Sequence, residues 1–135
     1  MSEENVELVR SMYRRGDPSR FFDLLDDEVE VDTSALEQLP DDHLSGLVCG
    51  KDAVVDYFRH YWGIWDEYVL DPVEIVDAGE DRVLVLHNER GRGRGSGTPF
   101  ERYWASLYTL RGGKLVRWTN FASREDALEA AGLSE

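Results

Sequence analysis

Three kinds of side chain in this sequence could do acid–base or binding chemistry. Asp32 closes the run Glu28-Val29-Glu30-Val31-Asp32, just before Thr33-Ser34. A carboxylate there is either a turn or cap residue, because a short acidic side chain bonds nearby backbone N–H groups, or a base whose pKa an apolar neighbourhood has shifted. His87 stands in Val83-Leu-Val-Leu-His87 with Asn88 and Glu89 beside it. An imidazole in a pocket relays protons near neutral pH. Val83, Val85 and His87 alternate with Leu84, Leu86 and Asn88, and either face could point inward, so a surface histidine is the other reading. From Phe100 to Leu110, Arg102, Trp104, Ser106, Tyr108 and Leu110 share one face, and Glu101, Tyr103, Ala105, Leu107 and Thr109 share the other. Val116, Trp118 and Asn120 would extend the Ser106 face onto the next strand. Aromatic area carrying a few hydroxyl and amide groups suits a planar organic ligand, and it equally describes rings that fill a core.

The remaining candidates are weaker. His43 follows Asp41-Asp42 in a region without periodicity, and no second histidine stands near it at a ligand spacing, so no metal site is expected. His60 lies off the apolar stripe of its helix and should be exposed. The single Cys49 excludes an internal disulfide and a cysteine-rich zinc site. Arg90-Gly-Arg-Gly-Arg-Gly-Ser-Gly97 precedes a strand rather than a helix, so it is no dinucleotide fingerprint; it reads as a hairpin tip whose arginines could meet the protein's own acids. There is no nucleophile elbow and no phosphate loop.

The elements that would position these groups follow from periodicity. Residues 3 to 15 read as a helix with Val6, Val9, Met12 and Tyr13 along one stripe, and Asp17-Pro18 opens a second, short one carrying Phe21, Phe22, Leu24 and Leu25. Residues 28 to 32 alternate as a strand, with Val29 and Val31 facing one way and Asp32 the other. Ala35 to Gly50 lacks any period and reads as a long loop. Ala53, Val54, Tyr57, Phe58, Tyr61, Trp62 and Trp65 then recur at helical spacing with a heavy aromatic face. Strands are expected at 67 to 77, 82 to 91, 99 to 110 and 114 to 122, joined by Gly-bearing turns that imply antiparallel hairpins. Ser123 with Asp126, followed by Ala127, Leu128, Gly132 and Leu133, predicts a capped C-terminal helix.

Composition bounds what these elements can do. The chain has 135 residues, with 15 Lys+Arg against 28 Asp+Glu for a net charge of −13, which argues against nucleic acid or an anionic membrane as partner. With 41% apolar residues and four tryptophans it can bury an ordinary core. No apolar run approaches the ~20 residues of a membrane span and Met-Ser-Glu-Glu lacks a signal pattern, so a cytoplasmic protein is the expectation.

Two helices, a strand, a loop, an aromatic helix and four antiparallel strands make an α+β domain. That order resembles the NTF2-like superfamily. Gly50-Lys-Asp-Ala-Val-Val-Asp-Tyr-Phe58 is similar to its glycine-led third helix and Gly113-Lys-Leu-Val-Arg117 to its last hairpin. The likeness is closest to the SnoaL-like (ketosteroid isomerase-like) proteins, through Trp65-Asp-Glu-Tyr68, Asp77-Ala-Gly-Glu-Asp-Arg-Val83, Gly91-Arg-Gly-Arg-Gly-Ser-Gly97 and Ala127-Leu-Glu-Ala-Ala-Gly-Leu133. The resemblance implies one domain over 1–135: a cone in which a curved antiparallel sheet wraps three helices, followed by a short C-terminal helix. It also implies a pocket at the open end for a small, largely apolar molecule, lined by Tyr57, Phe58, Tyr61, Arg102, Trp104, Ser106, Tyr108, Val116, Trp118 and Asn120.

Asp32 stands where the proton-carrying carboxylate of ketosteroid isomerases would be, whereas Val9 and Ser106 stand roughly where their two oxyanion donors would be. That departure disfavours steroid isomerisation. Two functions of comparable weight follow. One is a cofactor-independent isomerase, cyclase or dehydratase in which Asp32 takes a proton while Ser106, Tyr108, Asn120 or His87 polarises a carbonyl. Burial among Trp104, Tyr108 and Trp118 would raise the Asp32 pKa, and a nearby Arg102 would instead hold it ionised. The other is a non-catalytic module holding a small hydrophobic or aromatic molecule. A third reading is assembly, a homodimer through the outer face with Tyr103, Leu107, Leu115 and Phe121. No cofactor is expected.

Overall fold

The computed structural model describes residues 2–13, 18–33 and 46–133. The expectations for His43, Asp41 and Asp42, for Asp17 at the start of the second helix and for the last residues of the first lie outside the described residues. The elements are α1 (Ser2–Ser11), α2 (Pro18–Asp23), β1 (Leu25–Asp32), β2 (Leu47–Cys49), α3 (Lys51–Gly63), β3 (Trp65–Gly79), β4 (Arg82–Gly93), β5 (Pro99–Arg111), β6 (Lys114–Phe121) and α4 (Arg124–Ala130). Tight turns impose the hairpins. Glu80 and Asp81 take positive φ of 55° and 61° between the paired Gly79 and Arg82, and Gly112 and Gly113 take 59° and 79° between Arg111 and Lys114. Two successive left-handed residues give the turn whose twist matches that of the flanking strands.

The strands form one curved, open sheet in the order β2-β1-β6-β5-β4-β3. β3 to β6 are antiparallel neighbours as their turns require. β1 departs from the expected wholly antiparallel sheet, because it pairs with β6 in parallel, Val31 opposite Trp118. No tight turn joins these two strands, so no hairpin rule sets their direction. β2, within the stretch read as loop, is three residues long with Leu47 and Cys49 exposed, too short to show a period. Trp65 opens β3 rather than ending α3.

Helices α1, α2 and α3 share one face of the sheet, where Val9, Phe21, Val54 and Phe58 pack with Val29, Val31, Val85 and Trp118. On the opposite face α4 lays Ala127, Leu128 and Ala131 on Leu84, Ala105 and Leu107, with Phe121 beside them. The face expected to join two copies is therefore partly occupied by the chain's own last helix. Tyr103 remains 59% exposed there.

A β-bulge corrects one strand. Thr109 pairs with Arg117 and Leu110 with Leu115, which leaves Val116 as the extra residue. A bulge shifts alternation by one position. Leu115 is accordingly fully buried in the helix-covered cluster and Val116 is only half-buried, the reverse of the faces expected for them. Among the described residues no helix is long and apolar enough to cross a membrane.

Candidate functional site

The site is built on three adjacent strands. β4 presents Val83, Val85, His87 and Glu89 toward the helices, and register sets them opposite Tyr108, Ser106, Trp104 and Arg102 of β5. β6 adds Trp118 and Asn120 opposite Tyr108 and Ser106. His87 is completely buried, so the surface reading of this histidine gives way to the interior one.

A continuous polar series runs across these strands. The Ser106 hydroxyl donates to Asn120 Oδ1 at 2.6 Å and accepts from Trp118 Nε1 at 2.8 Å. A hydroxyl has one proton. The 3.0 Å bond between Ser106 Oγ and His87 Nε2 is then donated by the imidazole, which fixes the Nε2–H tautomer. Tyr13, just beyond α1, sets its hydroxyl 2.6 Å from that of Tyr108 and 3.4 Å from His87 Nε2. Burial pushes the His87 pKa down to about 3 and holds both phenols above their ordinary range, so the imidazole is neutral at physiological pH. Rings surround the series: Phe58 stacks on Trp118 at 4.8 Å, and Phe21 meets both edge-on at 5.2 Å.

A second buried cluster centres on Glu89, which has no exposed surface. Arg102 Nε donates to its Oε1 at 2.6 Å, Tyr61 donates to Oε2 at 2.9 Å, and Tyr68 also donates to Oε2. Arg102 Nη2 reaches back to the Tyr61 hydroxyl at 2.8 Å. Three donors and one formal charge compensate the carboxylate, which is what a buried ion needs.

Of the residues singled out in sequence, Trp104, Ser106, Tyr108, Trp118, Asn120, Phe58 and His87 share one helix-covered neighbourhood. Arg102 and Tyr61 belong to the Glu89 cluster, and half-buried Tyr57 hydrogen-bonds with Thr33. Arg102 thus pairs with Glu89, not with Asp32. Buried Val29, Val31 and Thr33 alternate with half-buried Glu30 and Asp32, so Asp32 shares the face on which Glu30 meets Arg117. Sequence reasoning missed Tyr13, Tyr68 and Glu89 as polar members. The signals were present: Tyr13 lies one helical turn past Val9, and Glu89 two strand positions past His87. The arginine tip behaves as expected, Arg90, Arg92 and Arg94 meeting Asp71, Glu67 and Asp66 at 2.8, 3.0 and 3.2 Å.

Helices on one side of a curved, open sheet, with a short C-terminal helix on the other, define an α+β protein of the NTF2-like fold. The sequence profile of the SnoaL-like domain matches residues 6–118, and the chain belongs to that family. Similar solved structures include TerC co-crystallised with polyporic acid, at 20% identity and a TM-score of 0.72 over 96% of this chain and 98% of that one. An NTF2-like protein from Burkholderia pseudomallei K96243 is 21% identical with a TM-score of 0.72, covering 93% of this chain and 95% of that one. A protein of ketosteroid isomerase-like fold from Catenulispora acidiphila DSM 44928, in complex with trimethylamine, is 16% identical with a TM-score of 0.69 over 99% and 96% of the two chains. At these identities the likeness is one of fold. No curated protein sequence matches significantly.

Proposed function

We propose that the protein binds a small, planar, largely apolar organic molecule against the helix-covered face of its sheet, and that it acts as a binding protein rather than a catalyst. The observation that carries this reading is the hydrogen-bonded series of half-buried Tyr13 with buried Tyr108, His87, Ser106 and Asn120, set among aromatic rings. Apolar walls with a few directional polar groups are what a small-molecule site requires. Structural relatives crystallised with polyporic acid and with trimethylamine support small-molecule binding as a use of this fold. The same face offers little basicity. General-base catalysis favours a pKa near the working pH, whereas burial holds His87 at about 3 and Glu89 is engaged by Arg102 and two tyrosines.

The catalytic alternative assigns the proton to Asp32, whose carboxylate would have to serve from the Glu30 side of β1. One experiment addresses both readings: titration of the protein and its Asp32→Asn variant with flat aromatic ketones, phenols and quinones, monitoring tryptophan fluorescence and chemical turnover. The expected result is saturable binding that Asp32→Asn leaves within about twofold, without turnover, since a twofold change is below ~0.5 kcal/mol. Absence of binding, or turnover that Asp32→Asn abolishes, overturns the binding-protein reading.

A further inference from the structure

His87 and Ser106 have no exposed surface, Tyr108 is 1% exposed and Asn120 3%. No solute reaches groups so enclosed unless whatever covers them moves aside. The three helices on that face are held in different ways. Phe58 of α3 stacks on Trp118, Phe21 of α2 meets both rings edge-on, and α3 buries Val54 and Tyr61 as well. The ten-residue α1 has only Asn5 and Val9 buried, while Glu3, Glu4, Glu7 and Arg10 are exposed. A helix of that length is marginal in water on its own, so α1 is helical because it is docked, and undocking it is a local event that costs the remaining core little.

Two polar contacts fasten α1 at its ends. Near its start, Asn5 Nδ2 donates to Asp81 Oδ1 at 3.2 Å. Asp81 is a fixed post, since it sits in the left-handed turn between β3 and β4 and its carbonyl accepts from Leu110 N at 2.9 Å. Just past the helix, the Tyr13 hydroxyl bonds that of Tyr108 at 2.6 Å, and the Tyr13 ring lies 5.3 Å from the ring of His87. Water replaces such polar contacts at small net cost once it enters, as it does not replace ring packing. Lifting α1 also takes Tyr13 off His87 and Tyr108. We infer that α1 is the gate to the polar series, latched by Asn5 on Asp81 and by Tyr13 on Tyr108, and that it opens while α3 and the sheet stay folded. This inference rests on the binding function proposed above and supplies the route by which the ligand enters. Asn5 lies outside the series, so loosening its latch favours opening equally in the free and the occupied protein. Association and dissociation then both quicken, and affinity stays the same.

The test pairs hydrogen exchange of the whole protein, read by mass spectrometry, with stopped-flow binding of flavone, a flat aromatic ketone, read by tryptophan fluorescence. In the wild type the amides of residues 6 to 11 should exchange faster than those of α3, β4 and β5, and with little dependence on urea. Asn5→Val removes the latch at matched helix propensity. It should speed exchange in α1 roughly three- to tenfold, the worth of one hydrogen bond, and raise the flavone association and dissociation rates by that same factor with the dissociation constant held within about twofold. Amides of α1 that exchange only in step with β4 and β5 overturn the gate and leave the binding function standing. Flavone rates unchanged in an Asn5→Val protein whose α1 exchanges faster overturn it too, because the ligand then enters elsewhere. Failure of flavone to bind, with α1 opening on its own, removes the binding function and the gate with it. The wild-type exchange pattern needs no variant, so a misfolded Asn5→Val protein leaves the gate open to refutation.

Discussion

An imidazole that is buried and neutral in the folded protein ties its stability to pH through the proton that only the unfolded chain accepts. Folded His87 titrates at about 3 and unfolded histidine near 6.5, so between those values the unfolded state holds more protons. Stability is therefore full above about pH 6.5 and falls as pH drops toward 3, with a limiting slope of about 1.4 kcal/mol per pH unit. Urea unfolding from pH 7 to pH 4 should show this acid limb in the wild type and a flatter one in His87→Phe. Glu74, lowered by its hydrogen bond from Arg124, contributes in the same direction to both proteins. The Glu89 cluster predicts a different asymmetry. Arg102→Met strands a buried carboxylate and should cost about 3–5 kcal/mol, whereas adding Glu89→Gln should recover most of that loss in chemical denaturation. Tyr61 and Tyr68 can still donate to the new amide oxygen. Strand alternation made Trp104, Ser106 and Tyr108 legible as one face, but the Glu89–Arg102 pairing depends on register between β4 and β5, which no single strand encodes.

The last helix shows how much element-level chemistry a sequence carries and where it stops. Ser123 accepts from Asp126 N at 3.1 Å, as the capping pattern predicts. Gly132 takes φ 76° while Leu133 N bonds Leu128 O at 2.8 Å, closing the end with a glycine cap. Ser123→Ala should lower stability by about 1 kcal/mol, read from the thermal midpoint. The helix was legible through its caps; its docking place was not, because Leu107 and Phe121 offer the same apolar face to a helix as to a second copy. The bulge at Val116 was hidden too. Nothing in Lys114-Leu-Val-Arg-Trp118 announces an extra residue, and only pairing with Thr109 and Leu110 reveals that Leu115 turns inward.

At the scale of the molecule, α4 covers Leu84, Ala105 and Leu107 of the outer face and leaves Tyr103 exposed there. A dimer formed there should dissociate in Tyr103→Asp, with light scattering falling from the mass of two chains to that of one; a one-chain mass for the wild type removes this dimer. The parallel pairing of β1 with β6 reaches further. Glu30 and Arg117, paired on adjacent strands, stand 87 residues apart in sequence, so β1, already edged by β2, finds its second neighbour only when the last strand arrives. Such non-local closure slows folding. During synthesis β1 leaves the ribosome long before β6, and the edge of β1 that β6 will pair stays open until then. The nascent chain must stay unaggregated until its final third emerges, and its need for chaperones should therefore peak just before residues 114 to 121 appear.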